Sequence, residues 1–205
     1  MTFPQRWGVL GRWGIAMVCV SVAVVVACSD GSSGGDPGDG GDTGTNIEGD
    51  PKLDPAPDIL LSAYTGKDRL GGSLLALSDL AGTPVVLNFW AALCPPCTAE
   101  MPDLQEFYDE FQDRLIVLGV DVGRYTGLGD RQDAVKLLDR LDITYPTAFD
   151  RGGTSVQLYE VLNMPTTFFI TPKGEIFRKW PGVINKKSLV KISEEMLAAH
   201  SGSAS

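Results

Sequence analysis

The residues from 51 onward predict an α/β fold, a mixed central sheet flanked by helices on both faces. Three observations carry that reading. Residues 85–90, Val-Val-Leu-Asn-Phe-Trp, form a nearly continuous apolar run, the pattern of a strand covered on both faces. Downstream of it, segments of helical period alternate with short β-branched and aromatic runs and end in a hairpin and a last helix, an order that builds a layered sandwich. Finally, 205 residues with 43% hydrophobic content supply one ordinary domain with appendages and a real core. The formal charge of -9, without clustered Lys or Arg, excludes a nucleic-acid surface.

Before that domain the composition changes twice. Residues 1–14 carry Arg6 and Arg12 and no acid, and 15–27 are apolar or small, so 1–27 read as a signal peptide. The apolar run is shorter than the ~20 residues of a spanning helix, which favours a removed signal over an uncleaved anchor borrowing 9–13. Val25-Val26-Ala27-Cys28 resembles a bacterial lipobox, with Val25 where Leu is usual. That resemblance implies that Cys19 leaves with the signal and that Cys28 becomes a lipidated, membrane-anchoring N-terminus. Several acyl chains hold firmly where one is marginal. The alternative, a free or disulfide-forming Cys28, finds no partner in the sequence.

Residues 28–50 are Gly-rich, with Asp30, Asp36, Asp39, Asp42, Glu48 and Asp50 and no basic residue. Such a stretch forms no core and reads as a flexible linker with a span of roughly 25 Å. Calcium binding is the rival, but the acids lack the spacing of a ligand loop.

Within the folded region, 51–200, each element has its own signal. Residues 58–62 read as a first strand or lead-in, 65–67 as a turn, 71–77 as a second strand, and 78–82 as one helical turn closed by glycine. After the strand at 85–90, Cys94 is placed as a helix N-cap with Pro95 in the first turn, where its missing N–H removes no helical bond. Cys97, Met101, Leu104, Phe107, Tyr108 and Phe111 recur at helical spacing, and Pro102 is expected to kink the helix near Thr98 or Ala99. Residues 115–120 give a second core strand, followed by a loop with Gly123, Gly127 and Gly129. A helix over 132–141, a strand over 147–149 and a helix over 154–162 come next. The strand beginning at Met164 turns at Lys173-Gly174 into a hairpin over 175–180, and an amphipathic helix over 186–199 precedes a disordered tail at 201–205. His200, the chain's one histidine, reads as a solvated tail residue, which leaves histidine-based catalysis poorly supplied.

Cys94-Pro95-Pro96-Cys97 therefore lies where a buried strand meets a helix N-terminus. A thiolate, not a thiol, attacks disulfides, and unpaired N–H groups with the helix dipole stabilise that charge. A second thiol one turn along resolves the mixed disulfide. Prolines 95 and 96 delete two local donors and leave the Cys97 N–H as the nearest one. Cys94 is thus expected to be less acidic than the about 3.5 of strongly oxidising dithiols, and the pair a better reductant.

Leu87-Asn88-Phe89-Trp90-Ala91, the Cys-Pro-Pro-Cys loop, Glu100-Met101-Pro102 and Met164-Pro165-Thr166-Thr167-Phe168, in this order, resemble the TlpA/ResA-like envelope branch of the thioredoxin fold. The resemblance covers about residues 56–197. It implies an extracytoplasmic thiol-disulfide oxidoreductase acting on protein thiols and disulfides, working as a monomer, its dithiol the redox centre with no separate cofactor. As a reductase it would be recharged by a membrane electron donor. It further implies a cis peptide at Met164-Pro165 and an inserted helix and strand over 132–150. Cys94 would attack, Cys97 resolve, and Glu100, one turn past Cys97, carry the proton. Trp90, Pro96, Met164, Pro165 and Thr166 would meet the substrate chain. Asn88 stands where cytoplasmic thioredoxins place a buried Asp, and an amide cannot carry a proton in that role. Leu93 replaces the usual Trp before the first cysteine.

Each of these residues has a plainer reading beside the functional one. The cysteines could hold structural zinc or a passive disulfide, although the domain offers no second Cys or His pair and no metal is expected. Glu100 could be a solvated first-turn carboxylate, Trp90 a core residue, and Pro165 an ordinary trans proline. A copper-delivering relative would need a metal-binding His that is missing. A non-catalytic module binding peptide in the same groove is the alternative for the whole chain.

Overall fold

The computed structural model describes residues 53–201; the signal peptide, Cys28 and the acidic linker read from the sequence lie outside the described residues. Seven strands, β1 (Leu60–Thr65), β2 (Leu74–Ala76), β3 (Val85–Trp90), β4 (Ile116–Asp121), β5 (Thr147–Asp150), β6 (Thr166–Ile170) and β7 (Ile176–Pro181), form one sheet. Its order is β2-β1-β5-β4-β3-β6-β7. β3, β4 and β5 run parallel, while β6, β7, β1 and β2 each pair antiparallel with their neighbours. The helices are α1 (Pro95–Phe111), α2 (Gly123–Thr126), α3 (Arg131–Arg140), α4 (Ser155–Leu158) and α5 (Lys186–Ser201), with a 3-10 turn at Leu77–Leu80.

Every residue of β3, β4 and β6 is buried, which explains why their sequences lack alternation. Val86 and Trp90 face one layer with Met101 and Leu104 of α1, Leu137 of α3 and Ile192 of α5. Leu87 and Phe89 face the other, with Leu77, Leu80, Tyr159 and Val161. The helices therefore cover both faces, and the insertion expected at 132–150 is α3 with β5, the latter wedged between β1 and β4.

Boundaries moved where side chains cap or pair. Thr65, expected in a turn, closes β1, because its hydroxyl donates to the Tyr145 carbonyl at 2.8 Å and accepts from the Thr147 N–H at 3.0 Å. β2 shrinks to three residues and leaves Gly71 and Gly72 to the turn. Asp130 caps α3 by accepting from the Gln132 and Asp133 N–H groups, while Asp133 accepts from the Asp130 N–H, so the helix starts at Arg131. The loop after β4 contains the short α2, whose first N–H at Gly123 donates to Asp121. α4 is one turn long rather than reaching 162, and the chain turns away at Glu160, φ 48°. α1 continues unbroken through Pro102. α5 runs on to Ser201, so His200 lies in a helix with its Nδ1 2.8 Å from the Met196 carbonyl oxygen, not on a free tail.

Gly119 pairs with Asn88 across β4 and β3. A Cβ there would lie 2.9 Å from Trp90 Nε1 and 3.2 Å from both Tyr145 Cε2 and Thr147 Cγ2. These are rigid or fully buried neighbours. Gly119→Ala is therefore expected to destabilise the fold by about 1–3 kcal/mol, read as a lower denaturant midpoint at unchanged slope.

Candidate active site

The dithiol sits at the end of β3. Leaving the strand, the chain is pinned by the Leu93 N–H donating to Leu128 at 2.8 Å, and Cys94 takes the extended N-cap conformation of α1. Cys94 and Cys97 form a disulfide with an S–S distance of 2.09 Å. Cys94 is 3% exposed and Cys97 0%, so both cysteines are buried in this oxidised form. The Cys97 N–H donates to Cys94 Sγ at 3.3 Å, the donor expected to survive the two prolines. Leu93, 59% exposed, presents an aliphatic surface beside the sulfur.

Glu100 is 1% exposed, which removes the solvated alternative. Its carboxyl is held at both oxygens: Oε1 accepts from Asn88 Nδ2 at 2.7 Å and Oε2 from the Ile184 N–H at 2.9 Å. The second Asn88 amide proton goes to Thr167 Oγ1 at 3.0 Å. Burial raises the Glu100 pKa to about 7, a rise reinforced by the nearby Asp103 and opposed by the Ile184 and Asn88 donors. Tyr145, whose hydroxyl has no protein partner, is fully buried, and burial together with the Glu100 charge keeps its phenol from ionising.

The substrate-facing candidates divide. Phe89 pairs with Thr166, so the segment before β6 returns to the end of β3 and brings Met164-Pro165 to the dithiol's end of the sheet. That peptide is cis, and its Pro165 carbonyl accepts from the Gly182 N–H at 2.8 Å. Pro96 is exposed and Met164 half-buried. Trp90 is 0% exposed and Thr166 1%, and Pro165 is buried as well, so these three do not face solvent, and burial fits the core alternative for Trp90. Reading from sequence missed Ile184, Thr167 and Tyr145. Only Thr167 left a signal, as a polar residue inside a buried strand. Among the described residues no group of three or more His, Cys, Asp or Glu side chains converges as a metal site.

A parallel-centred sheet with a Cys-Pro-Pro-Cys disulfide capping the helix after β3, and a cis proline across from it, defines a thioredoxin-fold dithiol protein. Residues 53–179 match the AhpC/TSA family, and the chain belongs to it, among the TlpA/ResA-like proteins. It is 38% identical over 136 residues to thiol-disulfide oxidoreductase ResA of Oceanobacillus iheyensis, covering 64% of this chain and 68% of that one. A Chlorobium tepidum protein assigned as thiol:disulfide interchange protein DsbE is 31% identical with a TM-score of 0.60, over 71% of this chain and 97% of that one. The exposed lipoprotein thioredoxin of Streptococcus pneumoniae is 28% identical with a TM-score of 0.56, over 68% and 99%.

Raised proton affinity of Glu100 in the folded state ties stability to pH. Between an unfolded value near 4.5 and the folded value of about 7 the native state binds more protons, so the stability carried by the protonated acid is full below 4.5 and lost as pH rises through 7. Urea unfolding of the oxidised protein at pH 5 to 8 is expected to show a decline of roughly 2–3 kcal/mol that Glu100→Gln flattens. Asp121, the other buried carboxyl with a raised pKa, is common to both proteins.

Proposed function

We propose that this chain is a lipid-anchored, extracytoplasmic reductase of disulfides in envelope proteins. Thiol-disulfide oxidoreduction is the activity of the TlpA/ResA-like proteins among which it falls. The observation that carries its mechanism is the Cys94 sulfur at the N-terminus of α1, with a buried acid one turn past the second cysteine. In the reduced form, the Cys94 thiolate attacks one sulfur of a substrate disulfide. The substrate S–S bond breaks, the leaving cysteine takes up a proton, and a mixed disulfide forms. Cys97 then loses its proton to Glu100 and attacks Cys94 Sγ, the mixed disulfide breaks, and the expelled substrate thiolate takes up a proton as Glu100 gives its own back. Two electrons and two protons pass to the substrate, and the Cys94–Cys97 disulfide is regenerated. The redox centre is the cysteine pair itself.

Recharging takes two electrons from a dithiol donor, which in this reading is a membrane protein. The reductive direction is supported by the donor count at Cys94. Pro95 and Pro96 offer no N–H, so the thiolate keeps one local backbone donor where an oxidising dithiol has more, and a less stabilised thiolate means a more reducing pair. Pro96, Met164 and Pro165 would line the substrate chain above Trp90 and Thr166. Anchoring through Cys28 after loss of residues 1–27, with 28–50 as a tether, is supported by the lipobox-like sequence. The fold likeness to a lipoprotein thioredoxin agrees with it. No helix among the described residues is long and apolar enough to cross a membrane.

In membranes, Cys97→Ser is expected to accumulate mixed disulfides with envelope proteins on non-reducing gels, and Cys94→Ser to accumulate none; equal yields from the two would refute the assigned order. Thiolate absorbance of the reduced protein should place the Cys94 pKa well above the about 3.5 of the strongest oxidants. A value near 4 would overturn the reductive direction.

A further inference from the structure

Glu100 does not stand alone under α1. Starting at the cis proline, Pro165 lies two residues before Thr167, which accepts from Asn88; Asn88 donates to Glu100; Glu100 accepts from Ile184. Two residues before Ile184, the Gly182 N–H returns to the Pro165 carbonyl at 2.8 Å. The chain of bonds is a closed ring, and two of its parts lie outside helix and strand: Pro165, just before β6, and the three residues Gly182-Val183-Ile184 between β7 and α5. Two N–H groups of that turn point to opposite sides of the ring, one to the buried acid and one to the carbonyl of the cis proline, itself buried. Gly182, φ 89°, takes the left-handed conformation that lets them diverge.

What fixes this turn is Trp180. Its indole N–H donates to the Val183 carbonyl at 3.1 Å, from a β7 position paired with Thr167 of β6. The carbonyl bonded is that of the peptide whose N–H belongs to Ile184. A peptide group is planar, so holding its oxygen orients its hydrogen as well. Both ends of the Val183–Ile184 peptide are thereby taken, one by the indole and one by the Glu100 carboxyl, and polarisation along such a chain strengthens both bonds. Ile184 itself is 0% exposed and Val183 is 50% exposed, so the turn is held by Glu100 on its core side and by the Trp180 indole on its exposed side.

We propose that Trp180 is a positioning residue for the proton step: through its indole N–H it aims the Ile184 N–H at Glu100, and so sets the proton affinity of the acid and couples its charge to the cis-proline loop. The proposal rests on Glu100 being the proton carrier. The Ile184 donor is the strongest influence that favours the ionised form, ahead of Asn88. The other titratable groups near Glu100 are Asp103 on α1, which raises its proton affinity, and Tyr145 before β5, whose phenol feels the Glu100 charge; neither is the hydrogen-bond partner of the Trp180 indole, which is the Val183 carbonyl. When the acid takes up the Cys97 proton, its pull on Ile184 weakens, and the slack passes through the turn to Gly182 and Pro165.

The test uses the full-length, fully reduced chain in detergent, with insulin disulfides as substrate in single-turnover rates from pH 5 to 9. The limb of the profile that Glu100→Gln abolishes belongs to Glu100. Trp180→Phe keeps an apolar ring but loses the N–H, and is expected to move that limb upward by about half to one pH unit, a threefold to tenfold change in the proton equilibrium. A limb that stays in place in Trp180→Phe but vanishes in Glu100→Gln overturns the proposal and leaves the reading of Glu100 standing. A limb untouched by Glu100→Gln overturns both. Should Trp180→Phe not fold, the unmodified protein still decides: the Trp180 indole proton resonance is expected to titrate with the midpoint of the Glu100 limb, and a flat resonance refutes the coupling.

Discussion

A carboxyl buried beneath α1 is the constraint on which the rest of this structure depends. Removing an acid from water costs several kcal/mol unless hydrogen bonds replace the lost hydration. Here the replacements come from two places far apart in sequence, the Asn88 amide on β3 and the Ile184 N–H after β7. Asn88 reaches the acid only if β3 keeps its register, with Asn88 opposite Gly119 on β4 and Thr167 on β6. A slip by one residue would turn Asn88 to the opposite layer and strand the acid. The central pairing of the sheet and the placement of the acid are thus one requirement, met by one set of residues.

The dithiol obeys a related economy of donors. Cys94 caps a 17-residue helix, and the positive end of that helix favours its thiolate. Two prolines then remove N–H groups from the same turn, so the dipole acts without the dense hydrogen bonding that would hold the thiolate too firmly to attack. Nucleophilicity falls as pKa falls, and the best attacking thiol titrates near ambient pH. In the proposed cycle the proline pair serves that end by thinning the donors at Cys94, and Glu100, its pKa raised to about 7, is the acid assigned to the fully buried Cys97.

How much of this was legible in the sequence depends on which atoms do the work. Side-chain patterns announced the core strands, the capped helix and the dithiol, and Asn88 showed itself as an amide inside an apolar run. The burial of Glu100 was not read from the sequence: it shares a helical face with Cys97, Met101 and Leu104, but a carboxylate in a first turn fits solvent equally well. Ile184 left no trace. Its contribution is a main-chain N–H, which every residue but proline carries, and only the path of the turn aims it. The short α2 and the early ends of α4 and β2 were hidden for a like reason, since local caps such as Asp121 to Gly123 decide them rather than periodicity.

These pieces explain why the acid is buried at all. A surface glutamate, with a pKa near 4.3, is almost wholly ionised at neutral pH and has no proton to give. One raised to about 7 is present in both forms, which is the condition that the proposed exchange of a proton with Cys97 requires. Burial alone would carry the acid further upward. The Asn88 and Ile184 donors pull it back, so the working range is set by the balance between desolvation and two hydrogen bonds. One of those bonds comes from a strand fixed by the sheet. The other comes from a three-residue turn whose far end holds the carbonyl of the cis proline, so the environment of the acid and the position of that proline are fixed by the same short stretch of main chain.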